Sequence, residues 1–314
     1  MATVTIGMPV FNGANYVAEA VDSILAQTFG DLELVISDNA STDATEEICR
    51  GLAARDRRIR YLRQPPNVGA AANHNLAFAA AESRYFKWAS HDDLLHPRFL
   101  AATVAVLDAR PEVTIASPAS TLIDAHGRPL AYSAERGGMV DLDGTCWPRL
   151  PEDNPGLAAG DPVTRFTAVM LNTVMCVEIY GLMRRDAARR TSLIGPFSGS
   201  DKVMLAEMAL RGPFWLGPEV LFHRRCHAEQ FSASTSGAYR ALWYSGRRDS
   251  LLTQQLKLLG AYCRSAATGP LRPPERGRCV LAVAKRAVSR GRQLQRLTNG
   301  VVGNGRPARD VTTP

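Results

Sequence analysis

Asp92 and Asp93 stand side by side in "YFKWASHDDLLHP", directly after an aromatic, strand-like run. Adjacent carboxylates repel each other, and they suit a divalent cation held by oxygen ligands and completed by water and phosphate oxygens. The plainer alternative is an Asx-type turn, with solvated acids or a cap for a helix starting near Pro97. Taken alone, the pair is better read as the turn. Two further polar clusters shift the balance toward the cation. "SDNASTD" offers Asp38, whose carboxylate can accept hydrogen bonds from a nucleobase N–H or a ribose hydroxyl. Ser41, Thr42 and Asp43 beside it also have the chemistry of a helix cap. "PVFNGANY" puts Pro9 and Asn12 in a tight turn under which a planar base can slide, or in an ordinary strand-to-helix loop.

Elements must position these clusters, and the first 120 residues alternate regularly. Strands are predicted at residues 3–10, 32–38, 58–63, 84–90 and 112–118, and helices at 15–28, 41–55 and 67–83. Such alternation implies βαβ units and a mostly parallel sheet covered on both faces. Ligands bind outside the carboxyl ends of strands in sheets of this kind. All three clusters lie at such ends, which marks out a nucleotide-sized crevice.

The set of motifs resembles family 2 glycosyltransferases, inverting enzymes with a GT-A fold. "PVFN" (residues 9–12), "SDNASTD" (37–43), "NVG" (67–69) and "SHDD" (90–93) agree in order and spacing over about the first 120 residues. "YGLMRRDA" and "SGSDKVMLAEMAL" look like the later strand and the base-bearing helix of that family. The resemblance implies an α/β, GT-A fold: a Rossmann-like, mostly parallel sheet flanked by helices, with a helical C-terminal extension. It implies nucleotide-sugar contacts from Pro9, Val10, Asn12, Asp38, Asn67, Asn75, His91 and Asp92, with Asp38 on the base. It also implies Mg²⁺ or Mn²⁺ on Asp92, with Asp93 beside it and His227 of "FHRRCHAEQ" approaching the metal or diphosphate. Asp201 becomes the general base. Three positions depart from the pattern: Ser90 replaces the first acid of D-x-D, Ser200 replaces the Glu of a Glu-Asp pair, and His74 stands where many members have arginine.

The implied reaction is a single displacement. A carboxylate takes the proton of an acceptor hydroxyl as the sugar bond forms, and a divalent cation offsets charge on the departing diphosphate. Structural readings stand beside these roles. Asp201 also suits a helix N-terminus, His227 a packed histidine, and Arg224 and Arg225, which can hold phosphate oxygens, more commonly a solvated face. A sugar-phosphate nucleotidyltransferase would show a basic Gly-rich loop after the first strand, but "MPVFNGANY" has no Arg or Lys. A nicotinamide dehydrogenase would show G-x-G-x-x-G there. A non-catalytic nucleotide- or sugar-binding module remains an alternative.

Charge narrows the partners. The net charge is +7, from 37 basic and 30 acidic residues. Residues 270–314 hold ten basic and two acidic residues, which leaves 27 basic against 28 acidic in the rest. A neutral body with a basic tail argues against specific nucleic-acid binding. Six scattered cysteines fit a reducing cytosol, and no signal peptide is read at the N-terminus. The apolar window "FTAVMLNTVMCV" is too short to span a bilayer and is read as a core helix. The resemblance implies a nucleotide-diphosphate sugar and a hydroxyl acceptor as partners, and the basic tail adds a peripheral contact with the inner face of the plasma membrane.

The second half is read more coarsely. Hairpin chemistry at "DAHGRPL" precedes a long Gly/Pro/Asp-rich loop over residues 135–162. A helix at 163–171, a strand near "EIYGLMRR", a helix through "SDKVMLAEMALRG", short strands in "PFWLGPEVLFHRRCH" and helices over 238–264 follow. "TGPLRPPERG" is read as a linker. A basic amphipathic helix over 279–297 would turn Val280, Leu281, Val283, Ala284, Ala287 and Val288 to lipid and Lys285, Arg286, Arg290 and Arg292 to headgroups, or form part of a disordered basic terminus. The expected divisions are 1–120 for the donor half, 121–235 for the acceptor half, 236–269 for C-terminal helices and 270–314 for the tail.

Overall fold

The computed structural model describes residues 2–150, 154–173, 175–228 and 250–302. Its first half alternates as the sequence predicts: β1 (Val4–Val10), α1 (Val17–Leu25), β2 (Leu32–Asp38), α2 (Thr45–Arg55), β3 (Ile59–Arg63), α3 (Ala70–Ala79) and β4 (Tyr85–Trp88). The two-residue β5 (Leu94–Leu95), α4 (Phe99–Ala109) and β6 (Ile115–Ile123) complete it. β6 runs five residues past the expected end, because β11 (Phe214–Arg225) pairs with it in parallel along its length. β11 is itself one twelve-residue strand where short strands were expected; irregularities between Gly217 and Phe222 break its alternation without ending it.

The long loop contributes β8 (Gly138–Val140) and β9 (Cys146–Trp147) to a small separate sheet whose first strand, β7 (Ala131–Ser133), just precedes it. Next come α5 (Pro162–Asn172), a 3₁₀ turn over Val177–Tyr180, β10 (Leu182–Arg184), the short α6 (Arg185–Ala188) and α7 (Ser200–Arg211). Asp161 caps α5 by accepting from the Thr164 amide at 2.9 Å, with Pro162 in the first turn. The main sheet has the order β3-β2-β1-β4-β10-β6-β11-β5, with β10 and β5 antiparallel to their neighbours.

Alternation along β4 sends Phe86 and Trp88 to one face and Tyr85 and Lys87 to the other. Phe86 and Trp88 pack with Phe166, Val169, Met204 and Met208 of α5 and α7. Tyr85 joins Val4, Ile6, Ile24, Phe99 and Leu107 on the opposite face. Lys87 is fully buried within that strand.

The two C-terminal helices are part of the core. α8 (Leu251–Thr268) buries Tyr262 edge-on to Phe166 at 6.0 Å, and Ser265 Oγ donates to Glu207 Oε1 at 2.8 Å. The expected helix segment before Ser250 lies outside the described residues. α9 (Pro273–Val302) starts within the expected linker, since Pro273 and Pro274 are tolerated in a first turn. It buries Cys279 and Val283, and Arg286 donates to the Met170 carbonyl. This corrects the lipid-facing assignment of Val283 and the headgroup-facing assignment of Arg286: both meet the protein body. Val280, Leu281 and Val288 do face outward. For Arg290 and Arg292 only the helical backbone is described.

Truncation after Thr268 removes three buried apolar side chains, Leu271, Cys279 and Val283. The expected cost is on the order of 5 kcal/mol, measured by urea unfolding followed by circular dichroism. A tail that merely dangled would leave the midpoint unchanged.

Candidate active site

The loops after β1 and β2 are clipped together by hydrogen bonds. Asn12 and Ala40 hold left-handed backbone, with φ of 52° and 63°. The Asn12 amide donates to Ser41 Oγ at 2.9 Å, and Asn12 Oδ1 accepts from the Thr42 amide at 2.9 Å. The Gly13 amide donates to Thr45 Oγ1 at 2.8 Å. A Cβ on Gly13 would lie 2.5 Å from the His91 ring, so glycine is what lets the first loop meet the acid loop. Pro9 and Val10 end β1 opposite Ser37 and Asp38. Asp38 is wholly buried; its oxygens accept from the Ser41 amide at 2.8 Å and the Tyr61 hydroxyl at 2.6 Å. It shapes the loop from beneath.

The "NVG" segment joins the same rim. Asn67 Oδ1 accepts from Asn39 Nδ2 and from the Gly69 amide, each at 2.9 Å, and Gly69 takes φ of 85°. Asn73 is buried between β1 and β2, donating to the Ser37 carbonyl at 2.8 Å. Asn75 points elsewhere: its amide exchanges two hydrogen bonds with the Ile194 backbone, at 2.9 and 3.1 Å. It holds the approach to α7.

The acid loop divides its two carboxylates. Asp92 Oδ2 lies 3.0 Å from His227 Nε2, and its other oxygen accepts from Ser90 Oγ. Burial works to raise the Asp92 pKa, but the His227 hydrogen bond, the His91 charge and the Ser90 hydroxyl outweigh it and hold the carboxyl well below its usual range. Asp93 turns inward and accepts from the Arg225 amide at 2.9 Å. Burial and the neighbouring Asp92 charge push its carboxyl upward. Ser90, in the place of an acid, thus serves as a donor to Asp92.

Arg225 fixes this arrangement. Its buried guanidinium donates to the Asp92 carbonyl at 2.7 Å, the Ala125 carbonyl at 2.9 Å and Glu19 Oε2 at 2.7 Å, and it lies 4.9 Å from the Tyr16 ring centre. Tyr16 in turn packs 4.8 Å from the His227 ring. Beneath the loop, Lys87 donates to the Trp88 and Tyr180 carbonyls and sits 4.7 Å from the Phe99 ring and 5.2 Å from Phe222. Desolvation pulls its ammonium down to about 7, opposed by Asp93.

Asp201 lies in the first turn of α7, after Gly199 in left-handed conformation. It is half-buried, and its Oδ1 accepts from the Lys202 amide at 2.8 Å. Cys176 and His74 feel its charge. Desolvation raises the hydroxyl pKa of the half-buried Tyr180, and the charges of Asp93, Asp92 and Asp201 add to the rise. The Ser198 amide, just before α7, donates to Gln254 Oε1 of α8 at 2.8 Å, so the C-terminal helices help aim this turn.

Asp92 and His227 therefore form the only close donor pair of the expected metal set; Asp93 is spent on Arg225. Among the described residues, no group of three or more His, Cys, Asp or Glu could hold a metal by itself. The Asp92 carboxylate fits an ion completed by diphosphate oxygens and water, which is how Mg²⁺ is usually held at phosphate sites, while the imidazole adds a nitrogen donor that transition-metal ions accept more readily. His227 Nδ1 is buried with no hydrogen-bond partner among the described residues. Lys87, Asn73 and the exposed Phe11 beside Asn12 escaped the sequence reading, and Arg225, read there as part of a solvated face, is instead buried. A buried cation inside a strand had one available signal, the charge at Lys87 between aromatic neighbours.

Comparison with known proteins places this site in a family. Residues 5–190 match the description "Glycosyl transferase family 2". An uncharacterized glycosyltransferase of Rickettsia typhi is 37% identical over 105 residues, covering 33% of this chain and 32% of the relative. Glycosyltransferase GlyG of Streptococcus pneumoniae is 33% identical over 92 residues, covering 29% and 31%. The matches thus span about a third or less of these curated relatives. Among solved structures, S. aureus TarS 1–349 with UDP superposes with a TM-score of 0.61 at 13% identity, over 91% of this chain and 72% of that one. A mannosyltransferase from Pyrobaculum calidifontis, in complex with GDP-Man and Mn²⁺, gives 0.56 at 16% identity, over 96% and 80%. The fold is the GT-A fold of these enzymes, and with its family match covering residues 5–190 the chain belongs to glycosyl transferase family 2.

Proposed function

We propose that this protein is an inverting glycosyltransferase that moves a sugar from a nucleotide diphosphate to a hydroxyl acceptor. The observation that carries the reading is the convergence of three strand-end loops on the Asp92–His227 pair, with Asp201 in the first turn of α7. The base would lie between the first two loops, with Phe11 offering an exposed ring beside Asn12. Asp38 supports that loop from below, and Asn67 and Gly69 close its rim. Asp92 and His227 would hold Mg²⁺ or Mn²⁺, which when bound offsets charge on the departing diphosphate. Asp201 takes the acceptor proton as the new bond forms. TarS with UDP-GlcNAc and the mannosyltransferase with GDP-Man support a nucleotide-diphosphate sugar as donor.

A peripheral membrane contact at the cytoplasmic face belongs to the same proposal. No helix among the described residues is long and apolar enough to cross a membrane. α9 is apolar on two sides, however: Cys279 and Val283 meet the core, while Val280, Leu281 and Val288 are 45%, 55% and 54% exposed. Positions 280, 281, 284 and 288 share one helical face, and residues 270–314 carry the chain's excess positive charge.

A panel of nucleotide sugars with cell-extract acceptors, read by mass spectrometry, tests the activity. Asp201→Asn is expected to lower transfer by about a hundredfold or more while nucleotide binding persists; unchanged turnover rejects Asp201 as base. Retained anomeric configuration in the product, read by NMR, rejects single displacement. For the tail, Leu281→Asp with Val288→Asp should reduce sedimentation with phosphatidylserine vesicles and leave thermal stability intact. Equal sedimentation of both proteins rejects the membrane contact.

A further inference from the structure

Lys87 is a fully buried ammonium to which the proposed reaction gives no task. It lies 4.7 Å from the ring centre of Phe99 of α4, 5.2 Å from Phe222 of β11 and 5.8 Å from Tyr180. Its Nζ donates to the Trp88 carbonyl at 3.0 Å and to the Tyr180 carbonyl. These two acceptors stand where the sheet opens. β4 and β10 pair antiparallel through Tyr85–Arg184 and Phe86–Met183. Toward Trp88 that ladder ends, because the chain before β10 is wound into the 3₁₀ turn over Val177–Tyr180. Buried carbonyls need donors, and Lys87 supplies them to one carbonyl from each side of the opening. Trp88 is two residues from Ser90 of the acid loop, and the 3₁₀ turn packs on α7, whose first turn carries Asp201. One side chain thus ties the strand that leads into the acid loop to the turn beside the proposed base.

Stability alone does not account for a cation here. Withdrawing an ammonium from water is unfavourable, and an apolar side chain of similar size would fill the same aromatic surroundings without that penalty. Two carbonyls and three ring faces offset part of it. What an apolar side chain could not supply is the bridge between the two carbonyls. We infer that Lys87 is a positioning residue of the transfer reaction: by tying the Trp88 and Tyr180 carbonyls together, it holds the acid loop and the turn beside α7 in one fixed relation, so that a donor at Asp92 and the base Asp201 meet in reactive geometry. The inference rests on the glycosyltransferase reading for the reaction; the tether itself does not depend on it.

The test compares the full chain with Lys87→Met, which fills most of the same space without a donor, and with Lys87→Gln, whose amide can still donate. Hydrogen exchange read by mass spectrometry reports the tether. The Ile179 and Gly181 amides donate to the Cys176 and Glu178 carbonyls of the turn. Exchange over residues 177–182 should be about tenfold faster in Lys87→Met, with residues 32–63 as in the wild type. Turnover with UDP-, GDP- and dTDP-sugars and cell-extract acceptors reports the reaction. Its kcat should fall about tenfold or more with donor KM little changed, because Arg225 still anchors the acid loop. Lys87→Gln should lie between the two in both readouts. Unchanged exchange over 177–182 in Lys87→Met overturns the tether. Faster exchange with undiminished kcat, or a loss confined to donor KM, overturns the positioning role. If Lys87→Met does not fold, Lys87→Gln decides: wild-type exchange or wild-type kcat in that variant overturns the inference. A wild-type chain that transfers from no donor overturns the proposed activity and the positioning role with it, while the exchange comparison still decides the tether.

Discussion

A buried guanidinium that must find partners for all its donors organises this site. Arg225 ends β11 with its side chain fully withdrawn from water. An unpaired cation there would be strongly destabilising, so the chain surrounds it with the Asp92 and Ala125 carbonyls, Glu19 and the Tyr16 ring. Those partners come from the acid loop, the turn after β6 and α1. Satisfying one charge thereby fixes the relative positions of three separate segments. His227 follows two residues later and can reach Asp92 only because β11 is anchored in this way.

The same network gives two adjacent aspartates different jobs. Asp93 looks into the protein, towards the Arg225 amide and the buried Lys87, and supports the loop. Asp92 looks outward with Ser90 and His227 as its hydrogen-bond partners, and its carboxylate stays charged. The repulsion expected of neighbouring acids shows in Asp93, whose carboxyl is pushed upward by burial and by the Asp92 charge, while Asp92 keeps its charge through the His227 and Ser90 hydrogen bonds. A charged carboxylate beside an imidazole, at the mouth of three clipped loops, is suited to a cation that arrives with a diphosphate.

Much of this was legible in the residues because local rules governed it. The βα alternation, the strand-end clusters and the start of α7 follow from periodicity, caps and turns. The rest depends on partners distant in sequence. Arg225 reads as a solvated charge because Glu19 lies 206 positions away and its other partners are backbone carbonyls. β11 reads as fragments because Gly217, Pro218 and the irregular pairing interrupt its alternation. In α9, two apolar stripes compete, and periodicity cannot tell which one docks; Cys279 and Val283 win because α5 and α8 offer them a surface. Asn75, which the family resemblance implies as a nucleotide-sugar contact, has its side-chain amide matched to the Ile194 backbone.

The central claim is that Asp92 and His227 form a cation-dependent nucleotide-diphosphate position. Calorimetric titration of UDP, GDP and dTDP into the full chain, with Mn²⁺ and then with EDTA, addresses it most directly when repeated on Asp92→Asn and His227→Ala. The account requires one nucleotide to bind with Mn²⁺, to lose affinity by about tenfold or more in EDTA, and to lose it similarly in both variants. Binding of no nucleotide, or binding that neither EDTA nor the Asp92 substitution alters, would contradict it.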